Sequence, residues 1–330
     1  MGMTYLETGS LDPCYNLAFE ETVLRRRTTG SYLILWQNDN TIVVGQNQNT
    51  EAEINRAFVE AHQIRVIRRT TGGGAVYHDL GNLNYSFITD AGDTNELTME
   101  RFTHPVVEAL RSLGLDAEVS GRNDILVEGR KVSGTAQRIV RGRILHHGTL
   151  LFSSNPGMVA GALRVDPAKF QSKSTKSVRS RIGNIRDFLP RDMDIQAFWQ
   201  RIREALAGEG MTFGVLTAEE LAAVEELKRA RYDTWEWNFG RSPKYDMTNK
   251  RRFEGGGLEA QLSVKEGRIA AIRFYGDFLS VSPLEELTSA LEGCAFRRAA
   301  AADVLARFPV KDLFGSITAE EVLDTMFYAD

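Results

Sequence analysis

A chain of 330 residues, 42% hydrophobic and 25% charged, has the makeup of an ordinary globular protein with room for a sizeable core, in one large domain or two. Its formal net charge of −4 argues against nucleic acid as the main partner, and no apolar stretch approaches the length of a membrane span. The two cysteines, Cys14 and Cys294, give neither a disulfide framework nor a cysteine zinc cluster; MGMTYLETGSLDP shows no apolar run behind a basic start, so the cytoplasm is the expected compartment.

Asp12-Pro13 supplies an N-cap and a first-turn proline, predicting a helix through about Arg27, with Cys14 a small packing residue. Tyr32–Trp36 and Thr41–Gly45 are short β-rich runs divided by the turn signal Asn38-Asp39-Asn40. Glu51–His62 reads as a helix and Ile64–Arg68 as a strand. There follows RRTTGGGAVYHDLGNLNYSF, Arg68 to Phe87. Three glycines in a row, Gly72, Gly73 and Gly74, suggest a tight turn or a close approach to a ligand. Arg68, Arg69, Thr70 and Thr71 beside them point to an anion met by backbone N–H groups. The bland alternative is a glycine hairpin. Leu83, Tyr85 and Phe87 alternate with Asn82, Asn84 and Ser86, predicting a half-buried strand and placing the stretch on a strand–turn–strand unit.

Met99, Phe102, Val106, Leu110 and Leu113 recur at helical spacing before Gly114. Asp124–Val127 and Arg130–Thr135 form a predicted hairpin around Glu128-Gly129, Ile144–Phe152 is a strand, and Asn155-Pro156 opens a short helix. From Pro167 to Arg186 there are six basic residues and no acid, a basic island suited to a localised polyanion such as nucleotide phosphates. Ile195, Phe198, Ile202 and Leu206 line a helix, and Thr217-Ala-Glu-Glu220 is a capping box opening another that runs to about Arg231. Thr234–Lys250 is an aromatic-rich linker in which Trp235 and Trp237 are expected to pack between domains. Beyond it, a hairpin turns at Glu266-Gly267, and helices are expected over Pro283–Leu291, over Ala300–Phe308 and after Thr318.

No GxxxxGK[ST] loop, GxGxxG fingerprint, GxSxG elbow or HExxH occurs. The site is therefore expected among the glycine turn, the Lys131 hairpin, the paired histidines and the basic loop. A lysine on a strand is ordinarily an exposed edge residue. Lys131 is followed by the small residues Ser133, Gly134, Thr135 and Ala136, which leave space for a ligand. His78 and His147 are candidate contacts; His146, on the opposite strand face, is a packing residue.

The Arg68–Phe87 stretch, with LWQNDNTIVVGQNQN (35–49), GRNDILVEGRKVSGTAQ (121–137), HHGTLLF (146–152) and KSTKSVRSRIGNI (173–185), resembles in order the signature blocks of lipoate–protein ligases, in the biotinyl/lipoyl protein ligase superfamily. The likeness is strong over the first 240 residues and weaker, to an accessory domain, over the rest. It implies an α/β (α+β) fold, class II synthetase-like, with a mixed, largely antiparallel sheet flanked by helices. A catalytic domain would span 1–240, a linker 241–250 and a small C-terminal α/β domain 251–330. It also implies ATP-dependent activation of lipoate to lipoyl-AMP and transfer to a lysine of apo lipoyl-carrier domains, namely the E2 subunits of 2-oxoacid dehydrogenases and the glycine cleavage H protein, as in lipoic acid salvage. Lys131 would be catalytic. Arg69, Thr71, Gly72, Gly73, Gly74, Val76, His78, Ser133, Gly134, Thr135, Ala136, His147, Gly148 and Thr149 would bind the lipoyl group. Tyr77, Asn82, Asn123, Asp124, Lys131, Lys173, Lys176, Ser177, Val178, Arg179 and Arg181 would bind the nucleotide, with Asp124 a candidate Mg²⁺ ligand.

A transferase of the same superfamily would hold the acyl group on a cysteine, and none lies between Cys14 and Cys294. A biotin ligase would carry a GRGRxGR-type loop, which IVRGRILHHG matches poorly. A non-catalytic lipoate-binding protein is disfavoured by the presence of Asn123, Asp124 and Lys131 together.

Overall fold

The computed structural model describes residues 2–92, 99–121, 123–164, 182–208, 210–239 and 247–327. The expectations for Lys173, Lys176, Ser177, Val178, Arg179 and Arg181 fall outside the described residues. Fourteen strands are described: β1 (Thr4–Glu7), β2 (Tyr32–Trp36), β3 (Thr41–Val44), β4 (Arg65–Arg68), β5 (Val76–His78), β6 (Asn82–Asp90), β7 (Ala117–Ser120), β8 (Asp124–Val127), β9 (Arg130–Val140), β10 (Arg143–Leu151), β11 (Thr212–Phe213), β12 (Met247–Phe253), β13 (Gly256–Lys265) and β14 (Arg268–Gly276).

Eight of them form one sheet in the order β11-β1-β2-β6-β10-β9-β8-β7, antiparallel except where β1 pairs with β11 and β2. This is the expected mixed, largely antiparallel sheet. The helices Glu100–Ser112 and Ile195–Ala207 pack on one face, against Leu33, Leu35, Leu83, Tyr85 and Phe87. Pro13–Arg26, capped by Asp12, and Ala218–Leu227, opened by the Thr217 capping box, belong to the core on the other face with Ile34, Trp36, Ile88 and Leu145. Both faces are covered, so β6 is buried from Asn82 to Ile88 rather than half-buried, and its polar alternates Asn82, Asn84 and Ser86 are as dry as its apolar residues.

The turns Glu128-Gly129, Arg141-Gly142 and Glu266-Gly267 have positive φ at both residues. That is the type I′ geometry whose twist matches the strands it joins, and it fixes the register of β8–β9, β9–β10 and β13–β14. The helix expected over 51–62 is broken into Thr50–Glu53 and Arg56–Ala61, because Ile54 forms an isolated bridge with Leu163.

β2 and β3, adjacent in sequence, lie in different sheets. β3 is the centre of a three-stranded sheet in the order β4-β3-β5, parallel to β4 and antiparallel to β5. The glycines therefore link two strands on opposite sides of β3. They are not a hairpin.

β12, β13 and β14 form a third sheet, which with four helices between Glu285 and Phe327 builds a separate core. Met247–Lys250, assigned to the linker on composition, already belong to β12. The segment after β14 reaches back to the glycine turn: the Gly73 N–H donates to the Phe278 carbonyl at 3.0 Å, and the Ile139 N–H to Val281 at 2.9 Å. No described helix is long and apolar enough to cross a membrane.

Candidate active site

A narrow cavity of about 120 Å³ opens between the large sheet, the Pro13–Arg26 helix and the small sheet. Its lining brings together Arg69, Gly73, Gly74, Val76, His78, Asn123, Lys131, Gly134, Thr135, Ala136, His147, Gly148 and Thr149, all predicted from the sequence. Leu17, Trp36, Val43, Ala75 and Asn84 complete it.

Lys131 stands on β9 just after the Glu128-Gly129 turn. A bulge at Ile125/Leu126 shifts the β8–β9 register beside it. Its ammonium is 2.7 Å from the Asp124 carboxylate, and a side chain at Gly134 would come within 3.3 Å of Nζ. Glycine at 134 leaves that space to the lysine without asking its ammonium to shift. Lys131 is 38% exposed, the best-hydrated of the described cations that line the cavity. Asn123 bonds Thr135 through both its backbone carbonyl and its amide, pinning the mouth of the hairpin. The Gly183 N–H donates to the Lys131 carbonyl at 3.0 Å, and Lys131 bridges in parallel to Ile182, so the described chain after the basic loop resumes alongside this lysine.

The three glycines differ in what they are for. Gly72 abuts the C-terminal unit, where an added carbon would meet Ser280 N at 2.6 Å. Gly73 has φ +89°, a conformation side chains resist. Nothing lies within 4 Å of a carbon added at Gly74, which borders the cavity.

The arginines preceding them hold the turn together rather than waiting for an anion. Arg69 donates to Thr71 Oγ1 and to the carbonyls of Val43, Gly72 and Gly74. Arg68 donates to the carbonyls of Gly45, Gln46, Gln48 and Trp237 and to Thr50 Oγ1. Burial lowers both guanidinium pKa values to about 10, which still leaves them charged at neutral pH.

The histidines are equally well specified. Thr71 Oγ1 is 2.8 Å from His147 Nε2, and Glu20 accepts from His147 Nδ1 at 2.9 Å. Glu20 also accepts from Ser86, which accepts from the Trp36 indole. His78 accepts at Nδ1 from the Asn38 amide, and burial pushes its pKa down to about 3, so it is neutral. His146 points into the core on the other face, stacked on Phe102 at 4.9 Å, as expected of a packing residue.

Tyr77, Asn82, Ser133, Thr71 and Gly72, all predicted for the site, do not line this cavity. Tyr77 belongs to the small sheet's core, its hydroxyl on Asn40, because β5 alternates and turns it away from the cavity. Asn82 lies one step behind the lining and donates to Asn84 Oδ1. Ser133, between residues that face the ligand space, points to the far side of β9 and is fully buried. Thr71 and Gly72 support the wall, through His147 and Phe278–Ser280, without lining it. Asn84, Glu20 and Asn38 were not foreseen. The available signal was their pattern: two acids, Glu20-Glu21, amid apolar residues all round a helix, and asparagines alternating along a strand rich in aromatics.

Among the described residues no group of three acid, histidine or cysteine side chains could cage a metal ion. The donor set fits a Mg²⁺ brought in on nucleotide phosphates, which needs only one or two carboxylates, with Asp124 beside Lys131 to meet it.

Residues 12–207 match the lipoyl protein ligase A/B catalytic domain, and residues 242–326 the bacterial lipoate protein ligase C-terminus. Lipoate-protein ligase LplJ of Bacillus subtilis is 42% identical over 322 residues, 96% of this chain and 97% of that one. The structure of P. falciparum LipL1, in complex with lipoate, superposes with a TM-score of 0.79 over 98% of this chain and 97% of that one at 23% identity, which supports the fold including the C-terminal unit. A lipoate-protein ligase A bound with ATP gives a TM-score of 0.61 at 29% identity, covering 72% of this chain and 98% of that one.

Proposed function

The chain belongs to the lipoate–protein ligase family, and from that premise we propose that it condenses lipoate with ATP to lipoyl-AMP and pyrophosphate, then transfers the lipoyl group to a lysine of an apo carrier domain. The observation that carries this reading is a cavity with a partly hydrated ammonium, Lys131, at a polar end and apolar side chains, Leu17, Trp36 and Val43, at the other. Such a cavity suits an amphipathic acid whose carboxylate must meet a phosphate.

A carboxylate is a poor electrophile. In the first step its oxygen attacks the α-phosphorus of ATP, and the bond to the pyrophosphate oxygen breaks. Lys131 lies against both anions and stabilises the charge that grows on the phosphoryl oxygens. Mg²⁺, arriving on the triphosphate, would neutralise it, with Asp124 as protein ligand. In the second step the acceptor amine attacks the acyl carbon, AMP leaves, and the amine proton passes to solvent. That amine must be neutral, although an unperturbed lysine has a pKa of about 10.4; burial as the carrier docks favours the neutral form. E2 lipoyl domains and the glycine cleavage H protein are the acceptors we expect. We further propose that the C-terminal unit lifts from the turn between the steps to admit the carrier.

A thioester route has no support from the described cysteines: Cys14 is buried, donates to the Tyr232 carbonyl, and burial pushes its thiol up to about 12. The direct test is mass spectrometry of a purified apo carrier domain incubated with the protein, ATP, Mg²⁺ and lipoate. The reading expects the mass of one lipoyl group, absent without ATP. Modification that proceeds without a nucleotide contradicts it.

A further inference from the structure

Two residues that line the cavity each carry a buried hydrogen-bond donor with no partner among the described residues: Asn84 Nδ2 and His78 Nε2. Both residues line the cavity and both are almost fully buried, at 2% and 3% exposure. Their orientations are set from behind. Asn82 Nδ2 donates to Asn84 Oδ1 at 3.0 Å, which leaves the Asn84 N–H groups unused. Asn16 Nδ2 donates to Asn38 Oδ1 at 3.0 Å, so Asn38 presents its own amide N–H to His78 Nδ1 at 3.1 Å. The ring proton of neutral His78 is thereby placed on Nε2.

The sheet register says which end of the cavity these donors occupy. Asn84 pairs with Trp36 on one side and Thr149 on the other, and Gly134 donates its N–H to Thr149 Oγ1 on the next strand. Across the cavity floor the order is Trp36, Asn84, Thr149, then Gly134 with Lys131 folded over it. Asn84 is two strand spacings, roughly 10 Å, from Gly134. The His78 ring is 6.3 Å from the Trp36 ring, so His78 also sits at the apolar end. The Trp36 indole N–H is already spent on Ser86 and does not compete.

An acid whose carboxylate meets Lys131 lays its tail against these two donors. A hydrocarbon tail offers them nothing and leaves both unpaired, the costly case of a buried donor without an acceptor. Divalent sulfur is a weak acceptor and highly polarisable. We propose that Asn84 and His78 determine acyl specificity, selecting a dithiolane-bearing acid over a straight-chain acid of the same length by giving ring sulfur two hydrogen-bond donors. This rests on the proposed activation of lipoate at the same site.

The test is ATP–pyrophosphate exchange by the full-length protein with lipoate, with octanoate, and with an octanoate analogue in which one thioether sulfur replaces a methylene at the ring position. In the wild type, kcat/KM should favour lipoate over octanoate by about tenfold or more, with the thioether acid between them. Asn84→Leu, which replaces the donor by an apolar group of similar size, should bring the lipoate-to-octanoate ratio to within about twofold of unity, chiefly by improving octanoate. A wild type that uses octanoate as well as lipoate overturns the inference, as does an unchanged ratio in a folded Asn84→Leu. Should that variant not fold, the wild-type series decides. Exchange with none of the acids would bring down the activation reading itself and this inference with it, whereas equal exchange with all of them sinks the inference alone.

Discussion

In the turn region Arg69 is buried with its donors committed to Thr71 and three backbone carbonyls, whereas in the neighbouring hairpin Lys131 is more than a third exposed and its ammonium has one carboxylate for company. Both residues line one cavity and both carry a positive charge. The guanidinium, planar and many-donored, holds a glycine-rich backbone in shape; the ammonium, compact and on a flexible stem, is left available to an incoming anion. Cationic character in a motif therefore does not by itself mark the group that meets the substrate. What marks it is the donor capacity left over after the fold has been satisfied.

The largest effect expected from this contrast is chemical. Lys131→Ala should lower adenylate formation by about 10³-fold, the scale on which a lost charge stabiliser acts. Its thermal midpoint should scarcely move, because a pair this exposed contributes under about 1 kcal/mol. Pyrophosphate exchange and calorimetry on one preparation check both halves. Arg69→Leu should show the reverse emphasis, a loss of about 3 kcal/mol in urea denaturation as the Val43, Gly72 and Gly74 carbonyls lose their donor. Full stability with activity alone abolished would mean that Arg69 serves the ligand, and the contrast would break.

Acid should attack the dry side of the molecule. Burial lowers the pKa of both His78 and His146 to about 3. The unfolded chain therefore takes up their protons below about pH 6.5 while the folded chain does not, and stability falls as pH drops below that value. Two such groups give a slope of at most about 2.7 kcal/mol per pH unit. Urea midpoints measured down to about pH 4.5 should show it, and His146→Phe should roughly halve it. The smallest effect separates two adjacent glycines. Gly73→Ala, at φ +89° and with Leu279 at 3.3 Å, should cost about 1–2 kcal/mol. Gly74→Ala, with open space around it, should leave stability alone and raise KM for the acid.

The hairpin half of the site was legible in the sequence because its signals are local. Glu128-Gly129 announces a turn needing positive φ, and the small residues from Ser133 to Ala136 announce space beside Lys131. The turn half was only partly so. Its glycines were visible, but the strands they join pair through β3, a non-local arrangement that no spacing between Arg68 and Phe87 encodes. The alternation of β6 was read as one wet face and one dry. Both are dry, and the polar positions face a cavity, so Asn84 was passed over for Asn82, its neighbour two residues back. Tyr77 and Ser133 were named for standing beside motif residues, and strand alternation sends each to the opposite side. Glu20 was missed because acids on helices usually meet water; it became legible only once the helix around it proved buried from Asn16 to Leu24.

The account depends on nucleotide and acid condensing in this cavity before any carrier arrives. Rapid-quench measurement of pyrophosphate from the protein, lipoate and MgATP, with no carrier present, addresses it most directly. The account predicts a burst of about one pyrophosphate per molecule, with lipoyl-AMP recovered bound to the protein and the burst absent in Lys131→Ala. No burst until a carrier is added, or an undiminished burst in that variant, would contradict it.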